Sequence, residues 1–388
     1  MKDTPLKSML FKHFWAQRFF VQAEVDIFPV GGVSRTRKAI TDIDVYALRP
    51  SRALTFERVL GDCKTLKSQS PVQRALWVAG LMRLLDAHGG IIMLTAPGGI
   101  EQDHKLTADE LGITLLSVED FPTFDRALLP PLGSSGVTVE PSDIEKIHGV
   151  HNHFPALYPL CEYLTSTAWQ EPTFGALIRH VLGILRSLKG EFDPKRTEHE
   201  ALLCDTAAVF AVGLAECAGR VFNQYLHPAK KTELADSLKA LLWGGRESYE
   251  AYQSIRAKLV ASRGFRADLS DEDPGLPEWN GFVQVVRQYL ETPATAFHVP
   301  WLLRAYAVTL LKGESFNSIP LTRSDLHLLK LAMFTLDYVC RAAGVPKEFA
   351  DLVTYPLIQA QSQFALAPAA AVPTVELPAQ DPFQIKLF

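Results

Sequence analysis

No CxxC pair occurs among the five cysteines, Cys63, Cys161, Cys204, Cys217 and Cys340, which are scattered along 388 residues. That scatter excludes a zinc-ribbon type of module and a disulfide framework, and it fits a reducing compartment. Also missing is any run of roughly 18 apolar residues, the length a membrane-spanning helix needs. The N-terminus has no uninterrupted apolar core followed by a small-residue cleavage site. The expectation is a cytoplasmic protein with no membrane partner. No fixed-period repeat marks a solenoid, no HExxH pair marks a zincin, and no helix-turn-helix or zinc-finger spacing marks a reader of base edges.

What is present is an ordinary globular composition, 47% hydrophobic and 21% charged, long enough for two domains. The formal net charge of −4 is unevenly spread: residues 1–90 hold 14 Lys+Arg against 8 Asp+Glu, an excess of six, which leaves −10 for the remainder. A basic N-terminal part is what attraction to phosphate requires.

Along the chain, Leu6, Met9, Leu10, His13, Phe14, Gln17 and Phe20 fall near helical spacing and predict an amphipathic first helix over 5–20. Val21, Ala23, Val25 and Ile27 alternate with Gln22, Glu24 and Asp26, a half-buried strand with an acidic outer face. A loop, GGVSRTRK, carries Arg35, Arg37 and Lys38 as candidate phosphate contacts, and strands follow over Ile40–Leu48 and Leu54–Lys64. Ser70-Pro71 opens a helix with a period near 3.6, from Val72 to Leu85. Ile91–Ala96 is a continuously apolar strand of the kind covered on both faces. Thr107–Leu111 reads as a short helix and Ile113–Leu116 as a last strand. The fold class is therefore α/β over residues 1–121, a Pro/Gly/Ser-rich linker over 122–142, an all-α region over 143–366, and an Ala/Pro-rich tail over 367–388. The tail ends in Phe383–Phe388, whose apolar–polar alternation suits strand addition to a sheet edge.

The stretch Ile40–Leu81 carries the chemistry. Asp44 lies inside one apolar run, and Asp62-Cys63-Lys64 ends the next. Strand alternation puts Asp62 and Lys64 on one face and Cys63 on the other, as a core residue. If the strand of Asp44 is the hairpin neighbour, two carboxylates meet, and hard oxygen ligands suit Mg²⁺ or Mn²⁺.

With Asp44 in ITDIDVYAL and Asp62 and Lys64 in GDCKT, the N-terminal third resembles the PD-(D/E)XK nuclease superfamily, the restriction-endonuclease-like fold, over roughly residues 5–120. The resemblance implies a mixed sheet flanked by helices. It implies a metal held by Asp44 and Asp62 with Glu24 as the early acid, and Lys64 orienting the nucleophile or countering charge. Gln73 matches a polar residue on the helix after the lysine. Departures are the missing proline before Asp44, Asp in place of the commoner Glu before Lys64, and Glu24 on a strand instead of a helix. The implied activity is endonucleolytic hydrolysis of DNA, with RNA as the other substrate of the same chemistry, in a setting such as bacterial restriction or antiviral defence. A protein partner or second copy is expected to bind through the helical region or the tail. The rival expectation is a non-catalytic docking or assembly subunit built on the same scaffold.

His148, His151 and His153 in KIHGVHNHF invite a zinc reading, but Gly149 and Asn152 predict a loop and no acid–His pattern accompanies them. The six tryptophans are expected in the core.

Overall fold

The computed structural model describes residues 3–29, 38–65, 70–96, 99–128, 137–226, 231–262 and 275–366. The first half runs α1 (Thr4–Ala16), β1 (Phe20–Ile27), β2 (Thr41–Pro50), β3 (Phe56–Thr65), α2 (Pro71–Leu85), β4 (Gly89–Thr95), α3 (Gln102–Glu110), β5 (Ile113–Ser117) and α4 (Phe121–Leu128). The strands form one mixed sheet in sequence order: β1, β2 and β3 are antiparallel, and β4 and β5 continue parallel to β3. The parallel step follows from α2, which crosses over between β3 and β4 as a parallel pair requires.

One face of β4 and β5 is covered by α2 and α3 through Ala75, Val78, Ala108, Ile92, Leu94, Ile113 and Leu115. The opposite side faces α1, and Gly61 sets how closely that helix approaches. A Cβ there would lie 2.6 Å from a Leu10 methyl and 3.0 Å from Val45 Cβ. With hydrogen at that position α1 rests on β3 one residue before Asp62. Pro71 occupies the first turn of α2 as expected, although the Ser70 side chain makes no capping hydrogen bond.

After α4 the described chain is helical: α5 (Pro141–His148), α6 (Tyr158–Thr165), α7 (Phe174–Ser187), α8 (Thr197–Tyr225), α9 (Lys231–Leu242), α10 (Arg246–Ser262), α11 (Trp279–Glu291), α12 (Pro293–Ala296), α13 (Val299–Leu311), α14 (Leu326–Ala343) and α15 (Glu348–Leu366). The 29-residue α8 is long and apolar enough to cross a membrane, yet 94% of its most apolar window is buried inside the protein. A helix apolar all round is the core of its bundle, and α7, α11 and α13 pack around it.

Three expectations need correction. The stretch 122–142 is not a plain linker: Phe121–Leu128 is helical, with Phe121 buried, and a capping box of Glu140 and Asp143 starts α5. The sheet and the helices do not have separate cores, because a single buried cluster runs from Leu6 through Phe20 and Tyr46 to Trp169, Phe210, Trp301 and Ala360. Nor is the outer face of β1 solvated along its whole length: Asp26 is exposed, but the start of the strand is covered. Gln22 is 4% exposed, and Phe20 stacks on Trp169 at 5.3 Å between ring centres. Alternation predicts an open face only where nothing packs on it, and here the helical half does.

A buried polar cluster crosses that junction. Arg304 of α13 donates from Nε (2.6 Å) and Nη2 (3.1 Å) to the two oxygens of Asp205 in α8, and from Nη1 to the Val21 carbonyl of β1 (2.6 Å). His148 Nε2 donates to Asp205 Oδ2 at 2.8 Å, and the guanidinium lies over the Phe20 ring at 4.0 Å. Thus His148 closes α5 and is buried, not in a loop. Burial opposes ionisation of Asp205, but the Arg304 charge and the His148 hydrogen bond hold its carboxyl well below the usual range.

The helical half touches the sheet half again at Gly219 of α8, where a Cβ would sit 2.2 Å from the Leu54 carbonyl oxygen in the β2–β3 connection. That neighbour is backbone and cannot rotate away. Gly219→Ala should therefore cost about 1–3 kcal/mol, as overpacking does. A urea melt checks it, and an unchanged midpoint would count against this close approach.

Candidate metal centre

β1 and β2 are paired through Asp26↔Asp42 and Ala23↔Val45, so Glu24, Asp26, Asp42 and Asp44 gather at one end of the pair. Their mutual repulsion is not small. Two ionised carboxylates about 5 Å apart interact unfavourably by roughly 3 kcal/mol at an effective dielectric near 20. Like charges directly across a ladder are destabilising without a cation. Ligand oxygens of Glu24, Asp42 and Asp44 lie within 4.8 Å of one another, a spacing open to one hard divalent ion. The donor set is all carboxylate and fits Mg²⁺ or Mn²⁺ by its chemistry.

The backbone at Glu24 is unusual. Its φ is 54°, a left-handed conformation in the middle of a strand, and the register passes from Ala23↔Val45 to Val25↔Ile43 without it. Holding a non-glycine residue there costs on the order of 1–3 kcal/mol, and such strain tends to gather at working sites. At Asp44 the ladder is also modified. The β2–β3 pairing reaches Val45↔Gly61, and beyond it the Cys63 N–H donates to Asp44 Oδ2 at 2.7 Å. A side-chain carboxylate here replaces a backbone carbonyl as the partner of a buried N–H.

Two cations of the chain are already on the acids. Lys7, from the first turn of α1, places Nζ 2.6 Å from Asp44 Oδ1 and also bonds Glu24 Oε1. Burial works against its charge, but the hydrogen bonds to Asp44 and Glu24 outweigh it and hold its pKa above the ordinary lysine value. Arg74 of α2 donates from Nε to Asp62 Oδ2 at 2.6 Å and from Nη2 to Oδ1, while its guanidinium stacks 3.8 Å over Trp77. Burial raises the Asp62 pKa, and Arg74 opposes that without cancelling it.

The residues expected from sequence are thus unequally placed. Asp44 and Glu24 come together through Lys7, whereas Asp62 lies outside their oxygen cluster, on Arg74. Lys64 is half-buried and has no ion pair among the described residues. Cys63 is buried in the core, as expected. Gln73 is exposed, and its neighbour Arg74 makes the contact with Asp62. Lys38 is exposed, while Arg35, Arg37 and the tail segment Phe383–Phe388 lie outside the described residues.

Sequence reasoning missed Lys7, Asp42 and Arg74. Two of the three left traces. Asp42-x-Asp44 has the period of a strand face, and Lys7 is three and four residues before Leu10 and Phe11 on the buried side of α1. Arg74 had no comparable mark beside Gln73. In the comparisons, no family model matches this chain, and neither the curated proteins nor the solved structures contain a match to it.

Proposed function

We propose that this protein is a divalent-metal-dependent nuclease, its sheet-bearing part a restriction-endonuclease-like domain and DNA its substrate. The observation that carries this reading is the convergence of Glu24, Asp42 and Asp44 within 4.8 Å at strained backbone, next to the strand that ends in Asp62 and Lys64. The order helix, three antiparallel strands, helix, parallel strand supports it, as does the resemblance of Asp44, Asp62 and Lys64 to the PD-(D/E)XK pattern.

A bound Mg²⁺ or Mn²⁺ would supply an activated water and neutralise charge on the phosphate. Asp44 and Glu24, with Asp42, would hold it. Lys64, not committed to an ion pair among the described residues, is available to a phosphate oxygen or the attacking water. Asp62 would join the ligands only after Arg74, which holds both of its oxygens, lets go. The rest of the molecule, packed on the sheet through one core, would position substrate or partner.

The second reading, a non-catalytic docking subunit, is favoured by one feature: Lys7 and Arg74 neutralise the acids from within. Plasmid, linear duplex, single-stranded DNA and RNA incubated with the protein in Mg²⁺ or Mn²⁺ separate the two. Cleavage by the wild type that is lost in both Asp62→Ala and Lys64→Ala is the expected outcome. Equal cleavage by all three would identify a contaminant and end the enzymatic reading.

A further inference from the structure

We propose that the Lys7 ammonium is a built-in occupant of the cation position between Glu24 and Asp44, so that a divalent metal enters only as Lys7 swings out. The proposal rests on the reading of these acids as metal ligands and adds how the position is controlled. Nζ sits 2.6 Å from Asp44 Oδ1 and bonds Glu24 as well. A metal ion reaching the same oxygens at about 2.0–2.1 Å for Mg²⁺, or 2.3–2.6 Å for Ca²⁺, would have to stand where the ammonium stands. The two cations therefore exclude each other.

The way out is visible. Lys7 belongs to the first turn of α1, and its four-carbon stem borders a cleft of about 350 Å³ lined also by Thr4, Ser8, Glu24, Glu140 and Glu145. Glu140 is taken by Lys12 and Ser8. Glu145 is exposed and makes no ion pair among the described residues, so it is a free carboxylate on the rim of the space into which Lys7 can turn. Lysine suits this role because its ammonium is a mobile point charge and not a planar fork. Arg74 on Asp62, bidentate and stacked on Trp77, is the fixed counterpart.

The test is Mn²⁺ binding to the full chain by calorimetry, comparing wild type with Lys7→Met and Asp44→Asn. Lys7→Met should bind at least tenfold more tightly than wild type, and Asp44→Asn should lose binding. Because Lys7→Met leaves two carboxylates without their cation, a second readout uses the unaltered protein. Acetylation of Lys7 by an activated ester, mapped by mass spectrometry, should rise severalfold when Mn²⁺ is added, while Lys12 acetylation stays constant. Equal affinity of wild type and Lys7→Met, with Lys7 acetylation unmoved by metal, overturns the displacement and leaves the metal site standing. Absence of Mn²⁺ binding in wild type and Lys7→Met alike overturns both.

Discussion

Asp205→Ala should destabilise the protein by about 3–5 kcal/mol, a large share of the 5–15 kcal/mol typical of a whole fold. The reason is the fully buried Arg304, whose guanidinium loses both carboxylate oxygens and keeps the Val21 carbonyl and the Phe20 and Trp169 rings. An uncompensated charge in the core is far more expensive than the intact pair is favourable. The double variant Asp205→Ala/Arg304→Met should accordingly recover most of the loss. Urea unfolding of the three proteins measures this, and a single-variant loss under 1 kcal/mol would show that water or rearrangement relieves the charge. The pH dependence has a definite sign. Asp205 is held below its unfolded value, so its contribution is complete above the ordinary carboxylate range and fades as pH falls below about 4. The acid limb of the wild-type stability curve should therefore be steeper than that of the double variant.

Asp44→Asn should lower metal-dependent cleavage at least 100-fold, in line with removing an interaction that acts on the transition-state charge. It should lose less stability than Asp44→Ala, because the amide oxygen can still accept from the Cys63 N–H, although the Lys7 ammonium loses one of its two charged partners. Asp44→Ala should lose the same activity and in addition about 1–3 kcal/mol, the penalty for leaving that buried donor unsatisfied. Cleavage rates and melts on the two variants check this together. If Asn and Ala were equally destabilising, the hydrogen bond to Cys63 would not be what Asp44 contributes to the fold. If Asn kept wild-type cleavage, Asp44 would not be a ligand.

Much of the α/β part could be read from residues alone. Alternation located β1, the Ile40–Leu48 run located β2, and Pro71 with a 3.6-residue period located α2, each within a few positions of the structure. Local pattern served there because strand and helix periods are set by the chain's own geometry. It failed at Gln22 and at 122–142, where what matters is a partner far away in sequence: Trp169 and Arg304 over β1, and Ser8 and Lys12 of α1 on Glu140, where α5 starts.

The same division holds at the candidate site. By itself the sequence determined which acids and lysine stand at the ends of β2 and β3, because residue type and strand period are local properties. Only the tertiary structure decided their company. It put Glu24 in a left-handed conformation, let α1 rest on Gly61 so that Lys7 reaches the acids, and set Arg74 rather than Gln73 on Asp62. Those choices depend on how closely a helix can approach a strand and where a long cationic side chain then finds its carboxylate. No spacing rule encodes either.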